Sequence, residues 1–282
     1  MNTCDRTTTT HDVVMDVLSL FWLFVMVSSL QPIIRQRLIE AARQRLIARI
    51  EQERSSRVIL IVHRQETMRL LGFPLVKYLT MEDSEDVLRA LEATDDDRDI
   101  DLVLHTPGGL VIAALQIARA IQRRRGKTRV IIPHYAMSGG TLIALAADEI
   151  IMSKNAVLGP IDPQLGEFPA PSLLRLRQTK DVNEIDDRTL ILADIAEKAL
   201  EQIRHAVAEL LAKNYSPDVA HHVAEQLTIG RWTHDFPITP AMAQEMGLNV
   251  STEIPEAFLQ LMSLYPQPVR MQRSVEFLGM PN

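Results

Sequence analysis

The sequence predicts an α/β fold built on a parallel sheet with crossover helices, and three observations carry that expectation. Short β-branched runs and helical stretches alternate from residue 57 to 153, the pattern of parallel strands joined by helices. The strand runs are continuously apolar, as in Arg57-Val-Ile-Leu-Ile-Val-His63, which suits strands covered on both faces. Two strand-to-helix junctions carry glycine pairs, Gly108-Gly109 and Gly139-Gly140, at the edge where open α/β sheets bind their ligands.

The N-terminal elements depart from this globular pattern. Residues 17–34 (VLSLFWLFVMVSSLQPII) carry no charge, and the apolar run reaches back to Val13 apart from Asp16. That length is at the short end of what spans a bilayer, about 18 residues. The preceding flank is acidic and no small-residue cleavage site follows, unlike a secretory signal. A core helix would need a polar face. The expectation is a tail and transmembrane anchor over 1–34. Arg35, Arg37, Arg43, Arg45 and Arg49 follow it, so the positive-inside rule places a single-pass protein with its catalytic body in the cytoplasm. Residues 35–56 read as a basic amphipathic helix, with Leu38, Ala42, Leu46, Ile47 and Ile50 near helical spacing.

The body is expected over 57–252. After the first strand, Asp83-Ser84 is placed to cap a helix carrying Val87, Leu88 and Leu91. A strand over 101–105 breaks at Thr106-Pro107-Gly108-Gly109, and a helix runs from Leu110 to Arg125 with Gly126 as its stop. A strand over 128–133, a small-residue helix over 139–147 and a strand over 149–153 follow. Residues 154–180 read as a proline-rich loop region, 188–214 and 217–227 as helices, and 253–282 as a loosely attached tail.

Composition narrows the function. The chain has 282 residues, 46% of them hydrophobic and 23% charged, enough for one sizeable core. Its net charge of −6 lacks the basic footprint of a nucleic-acid binder. A lone Cys4 allows neither an internal disulfide nor a cysteine metal site. His221-His222 lies on a helix without spaced acidic partners, so no metal is expected; nor is a cofactor, and no Walker-type motif is present.

The chemistry concentrates in the two glycine turns. Paired glycines bring backbone N–H groups close to a bound anion. In Tyr135-Ala136-Met137-Ser138-Gly139-Gly140-Thr141 a serine stands between a strand and a helix, where a helix N-terminus stabilises an oxyanion. Either turn alone is a weak signal; two of them, one strand-and-helix unit apart, are far more specific.

His-Thr-Pro-Gly-Gly (105–109), Ala-Met-Ser-Gly-Gly (136–140), Ala-Ala-Asp-Glu-Ile (146–150) and Leu-Gly-Pro-Ile-Asp-Pro-Gln (158–164) resemble the Clp/crotonase-fold serine peptidases. The branch they most resemble is the serine dehydrogenase proteinases, related to signal peptide peptidase A. The resemblance spans about 57–250. It implies a superhelical core of repeated β-β-α units, assembly into a homo-oligomer and a peptide or protein substrate. It also implies Ser138 as nucleophile, with Gly108 or Gly109 and Gly139 forming the oxyanion hole.

A serine needs a neighbouring base. Clp protease uses a histidine shortly downstream and then an aspartate, but the region around Pro160–Pro163 holds no histidine and the first one after Ser138, His205, falls in a helix. Signal peptide peptidases use a lysine a few tens of residues beyond the serine, the interval at which Lys180 falls. Lys180 is therefore the expected base and Lys198 its rival; Lys154 reads as exposed. His105 and His134 read as strand-end residues, Asp162 as shaping its proline-flanked loop, and Met242 and Met246 as core. The rival functions are a crotonase-type acyl-CoA enzyme, which would need a carboxylate for acid–base work, and a non-catalytic membrane scaffold.

Overall fold

The computed structural model describes residues 8–63, 69–70, 73–74 and 78–265, without the side chains of 8–18, 27, 69–70 and 73–74. The chain divides into two units, 1–49 and 50–282. The first consists of most of one long helix, α1 (Thr8–Arg54), with Pro32 inside it. The anchor and the basic stretch, expected as separate segments, are thus one continuous helix. Leu20 to Val25, Met26, Leu30, Ile33 and Ile34 are exposed on it. Among the described residues no helix is long and apolar enough to cross a membrane. The expected anchor includes Val17, Leu18 and Val27, whose side chains lie outside the described set.

In the second unit β1 (Ser56–Val62) leads to the antiparallel pair β2 (Arg69–Leu70) and β3 (Phe73–Pro74), then to α2 (Met81–Glu92). β4 (Asp99–His105) and α3 (Val111–Gln122) follow, then β5 (Thr128–Ile132), β6 (Tyr135–Ala136) and α4 (Gly139–Leu145). β7 (Glu149–Met152) and β8 (Val157–Leu158) precede the hairpin β9 (Gln164–Leu165) and β10 (Phe168–Pro169). The remainder is α5 (Ala170–Thr179), a 3-10 turn (Val182–Glu184), α6 (Asp187–Leu211), α7 (Pro217–Thr228), α8 (Pro240–Glu245), β11 (Val250–Ser251) and α9 (Glu256–Ser263).

Five strands form one parallel sheet in the order β1-β4-β5-β7-β11. The apolar strand runs are buried as their composition requires, β4 throughout from Ile100 to His105. The exception inside it is Asp101, fully buried. A carboxylate is tolerated there only if its charge is met. Arg54 Nε reaches it at 2.6 Å and Ser56 Oγ at 2.6 Å, with Arg129 Nη1 at 3.4 Å.

Beyond the sheet the chain makes a second, shorter layer. Thr106 bridges Ala136, β6 pairs in parallel with β8, and Leu158 bridges Ile238. A main-sheet strand therefore steps into a short second strand before its helix, the β-β-α repeat that the resemblance implies. α3 presents Ala113, Ala114, Ile117, Ala118 and Ile121 to the core, against an entirely buried α4 and the Ile203, Val207, Leu210 and Leu211 face of α6. Each fully buried leucine or isoleucine contributes about 1.5–3 kcal/mol.

Three expectations need correction. The cap of α2 is Thr80, which makes a reciprocal capping box with Asp83; Ser84 is buried and donates instead to Gln116 at 2.9 Å. The proline-rich region holds β8, a hairpin and α5. Pro171 lies in the first turn of α5, where a missing N–H costs no helical bond. The tail is not loose from 253: α9 buries Phe258, Leu261 and Met262. Residues 266–282 lie outside the described set.

Candidate active site

The end of β4 delivers the first glycine turn. Gly108 has φ +98° and Gly109 +154°, conformations that disfavour a side chain. A Cβ on Gly108 would stand 2.7 Å from Met137 O and 2.9 Å from Ser138 Cβ; one on Gly109 would stand 2.3 Å from Leu79 O. The turn is clamped by Leu79 N donating to Gly108 O at 2.7 Å and Leu110 N donating to Leu79 O at 2.9 Å. The Gly108 amide is spent on Thr106 Oγ1 at 3.2 Å, and that hydroxyl also meets buried His63 Nδ1 at 2.8 Å. The amide of Gly109 lies 3.5 Å from the Cβ position of Gly139. Among the described residues neither the Gly109 amide nor the Gly139 amide has a chain acceptor.

Ser138 faces this turn. It sits between β6 and α4 with φ +49° and ψ −110°, a conformation that costs a non-glycine residue about 1–3 kcal/mol and persists only where its surroundings enforce it. Met137 N donates to Thr106 O at 3.0 Å, Gly140 N to Met137 O at 2.7 Å and Leu142 N to Ser138 O at 3.1 Å. Gly140 permits the contact, since a Cβ there would stand 2.7 Å from Thr106 Cγ2. Just beyond, buried Thr141 ties the serine helix to the next loop through Gly159 O at 2.9 Å and Gly159 N at 3.1 Å.

Ser138 opens into a cleft of about 230 Å³ whose apolar wall includes Val111, Leu142, Ile161 and Ile203. Asp162 and His234 also line it. Asp162 is buried; its Oδ1 lies 2.8 Å from His234 Nδ1 and its Oδ2 accepts from Gln164 Nε2 at 2.6 Å. The hydrogen bond that His234 donates to Asp162 raises its pKa above the usual 6.5, against an opposing desolvation and with help from the charges of Asp162 and Asp235. Ile161 N donating to Leu227 O at 2.8 Å and the Leu158–Ile238 bridge hold the two loops together.

The sequence profile of the ClpP-like SDH-type serine proteinases matches residues 8–282. The chain belongs to that family. It is a serine peptidase of ClpP-like α/β fold. Two uncharacterised proteins of Methanocaldococcus jannaschii are similar to it. One is 50% identical over 262 residues, covering 93% of this chain and 92% of the relative; the other is 48% identical over 261 residues, covering 93% and 89%. Among solved structures, a membrane-bound stomatin-specific protease aligns with 22% identity and a TM-score of 0.44, over 65% of this chain and 79% of its own.

In this SDH-type proteinase the sequence-derived site residues divide into two groups. Gly108, Gly109, Gly139 and Ser138 come together. The lysines do not join them. Lys180 is exposed at the end of α5, and Lys198 is exposed on α6, paired with Asp194 at 2.6 Å. Neither they nor exposed Lys154 line the cleft. His105 is a buried strand-end residue, its ring 4.3 Å from that of Tyr135. His221 and His222 are exposed on α7, and no group of three metal-ligating side chains occurs among the described residues.

His234 is the residue that sequence reasoning missed, and Asp162, taken as a loop-shaping residue, is its partner. One signal was available. Of the four histidines after Ser138, His205, His221 and His222 fall on helices and only His234 falls in a loop, in Trp232-Thr-His-Asp235.

Proposed function

We propose that the chain is a membrane-anchored endopeptidase in which Ser138 attacks the peptide carbonyl and the amides of Gly109 and Gly139 receive the oxyanion. The observation that carries this reading is Ser138 itself, held at positive φ on a strand-to-helix turn that opposes the glycine turn of β4. Such donors act by being in place before charge develops, and each is worth about 2.7–4 kcal/mol of barrier. Gly108, whose amide is engaged by Thr106, shapes the turn instead of donating. The acyl-CoA alternative would need a free carboxylate; the one in the cleft, Asp162, has both oxygens engaged.

The anchor is supported by the uncharged run over 17–34, by its exposed apolar side chains and by the arginines that follow. It places the N-terminus outside and the peptidase in the cytoplasm, with copies of the chain associating as a homo-oligomer. A fluorophosphonate probe applied to the detergent-solubilised full chain tests the chemistry. Labelling mapped to Ser138, lost in Ser138→Ala, supports the peptidase; a silent wild-type protein, or a label elsewhere, defeats it.

A further inference from the structure

We propose that His63 is a positioning residue for the oxyanion site: braced by Asp83, it accepts a hydrogen bond from the Thr106 hydroxyl and so keeps the Gly108–Gly109 peptide turned with its N–H on the serine side. This rests on the proposed roles of Ser138 and of the Gly109 amide.

His63 stands apart from the serine cleft. It is buried just beyond β1, its N donates to His105 O at 2.7 Å, and with Val62, Asp83 and Val87 it lines a separate hollow of about 240 Å³. It still reaches the glycine turn through one hydroxyl. Its Nδ1 lies 2.8 Å from Thr106 Oγ1, the oxygen that accepts from Gly108 N at 3.2 Å. A hydroxyl carries one proton and two lone pairs. With a lone pair given to Gly108 N–H, the proton needs an acceptor, and the alternative, Gly108 O, is 3.5 Å away. The other ring nitrogen of His63, Nε2, faces Asp83 Oδ1 at 3.4 Å. Burial alone would raise the Asp83 pKa, but hydrogen bonds from Thr80 N at 2.7 Å and Thr80 Oγ1 at 2.8 Å outweigh it and hold the carboxyl below its usual range. A carboxylate only accepts. It therefore draws the ring proton to Nε2 and leaves the Nδ1 lone pair for the Thr106 hydroxyl.

The circuit closes through the backbone. Leu79, the residue before Thr80, donates its N to Gly108 O at 2.7 Å. That carbonyl shares a planar trans peptide with the Gly109 N–H, so the two point in opposite directions. Drawing the carbonyl toward Leu79 turns the Gly109 N–H away from it, to the side where Gly139 lies. With glycine on both sides, this peptide meets little steric resistance to turning over, and its hydrogen bonds decide which way it faces. Thr106 holds the peptide before Gly108 and Leu79 the peptide after it. His63 and Asp83 join the two holds, because Asp83 is fastened by the neighbour of Leu79. Without the Nδ1 acceptor the Thr106 hydroxyl can rotate, its lone pair leaves Gly108 N–H, and the turn loses one of its two restraints.

The test uses the detergent-solubilised full chain and two readouts, the rate of fluorophosphonate labelling at Ser138 and steady-state hydrolysis of fluorescent casein. His63→Leu is expected to lower kcat and the labelling rate about tenfold with KM unchanged, short of the roughly 100-fold or more that loss of an oxyanion donor costs. His63→Asn, whose Oδ1 takes the place of Nδ1, is expected to bring both back to within about threefold of wild type. His63→Gln, whose amide reaches the Nε2 position instead, is expected to stay low. Loss of packing alone would not separate the asparagine from the glutamine variant. His63 acts through Thr106, so Thr106→Val combined with His63→Leu should lose no more than Thr106→Val alone. A His63→Leu protein at the wild-type rate, equal asparagine and glutamine variants, a change confined to KM, or additive losses in the double variant overturns the proposal. If the leucine variant fails to fold, the asparagine and glutamine variants decide alone. A labelled wild type with an unaffected His63→Leu defeats the positioning and leaves the nucleophile standing, whereas absence of label at Ser138 in the wild type defeats both.

Discussion

Replacing Thr141 by valine removes one hydroxyl from the interior and nothing else of consequence to shape. That hydroxyl lies 2.9 Å from both Ala136 O and Gly159 O and accepts from Gly159 N at 3.1 Å, in a residue with no exposed surface. Valine leaves the buried Gly159 N–H without an acceptor, at about 1–3 kcal/mol, and a carbonyl without its donor at a similar cost. The new methyl offsets about 0.8 kcal/mol. The net expectation is a loss of about 1–5 kcal/mol, centred near 3. With a urea dependence of roughly 3 kcal/mol per molar for a unit of this size, the unfolding midpoint should fall by on the order of 1 M. Urea titration of the full chain in detergent, followed by tryptophan fluorescence and circular dichroism, measures it. Thr141→Ser, which keeps the hydroxyl, should lose less than half as much. A valine variant whose midpoint stays within about 0.2 M of wild type, with an unchanged slope, would refute the accounting.

Ser138→Gly should abolish peptide hydrolysis yet raise stability by about 1 kcal/mol, because glycine relieves the positive φ; a calorimetric Tm below that of wild type contradicts the assignment of strain. Gly108→Ala should inactivate the enzyme, since its Cβ would meet Met137 O at 2.7 Å; wild-type turnover in casein hydrolysis would show that the turn can yield. Thr106→Val, which removes the acceptor of Gly108 N and the partner of His63, should lower kcat about tenfold with little change in KM; a change confined to KM would place the effect in substrate binding. The Asp162–His234 pair links stability to pH. The folded-state pKa of His234 is raised, so the pair's contribution is present below the unfolded value and is lost as pH rises through the folded one. The stability gap between wild type and Asp162→Asn should therefore be wider at pH 6 than at pH 9, and urea midpoints at the two values decide it. Protease added to sealed spheroplasts should spare the C-terminal body; its digestion from outside would reverse the proposed topology.

The sheet and the serine turn were legible because each rests on a local rule. Continuous β-branched apolar runs such as 58–62 announce buried strands, and a glycine pair announces a turn wherever it stands. The pairing of Asp162 with His234 was not legible in the same way. Asp162 and His234 lie far apart in sequence, and nothing around either signals that Leu158 will pair with Ile238 and bring them together. Spacing borrowed from relatives pointed to Lys180, and spacing carries no information about burial; Lys180 is exposed in the chain. The capping box of α2 was misplaced for a related reason: Thr80 and Asp83 fit the cap as well as Asp83-Ser84 does, and only the burial of Ser84 distinguishes them.

The bridge between Leu158 and Ile238 also sets a timetable for synthesis. The strands and helices around the nucleophile are complete once residue 145 has left the ribosome, but the imidazole emerges almost ninety residues later. The residues of α6 and α7 are made in the interval, before the loop that meets Asp162. A nascent chain thus carries its serine turn before the cleft that Asp162 and His234 help to line can form.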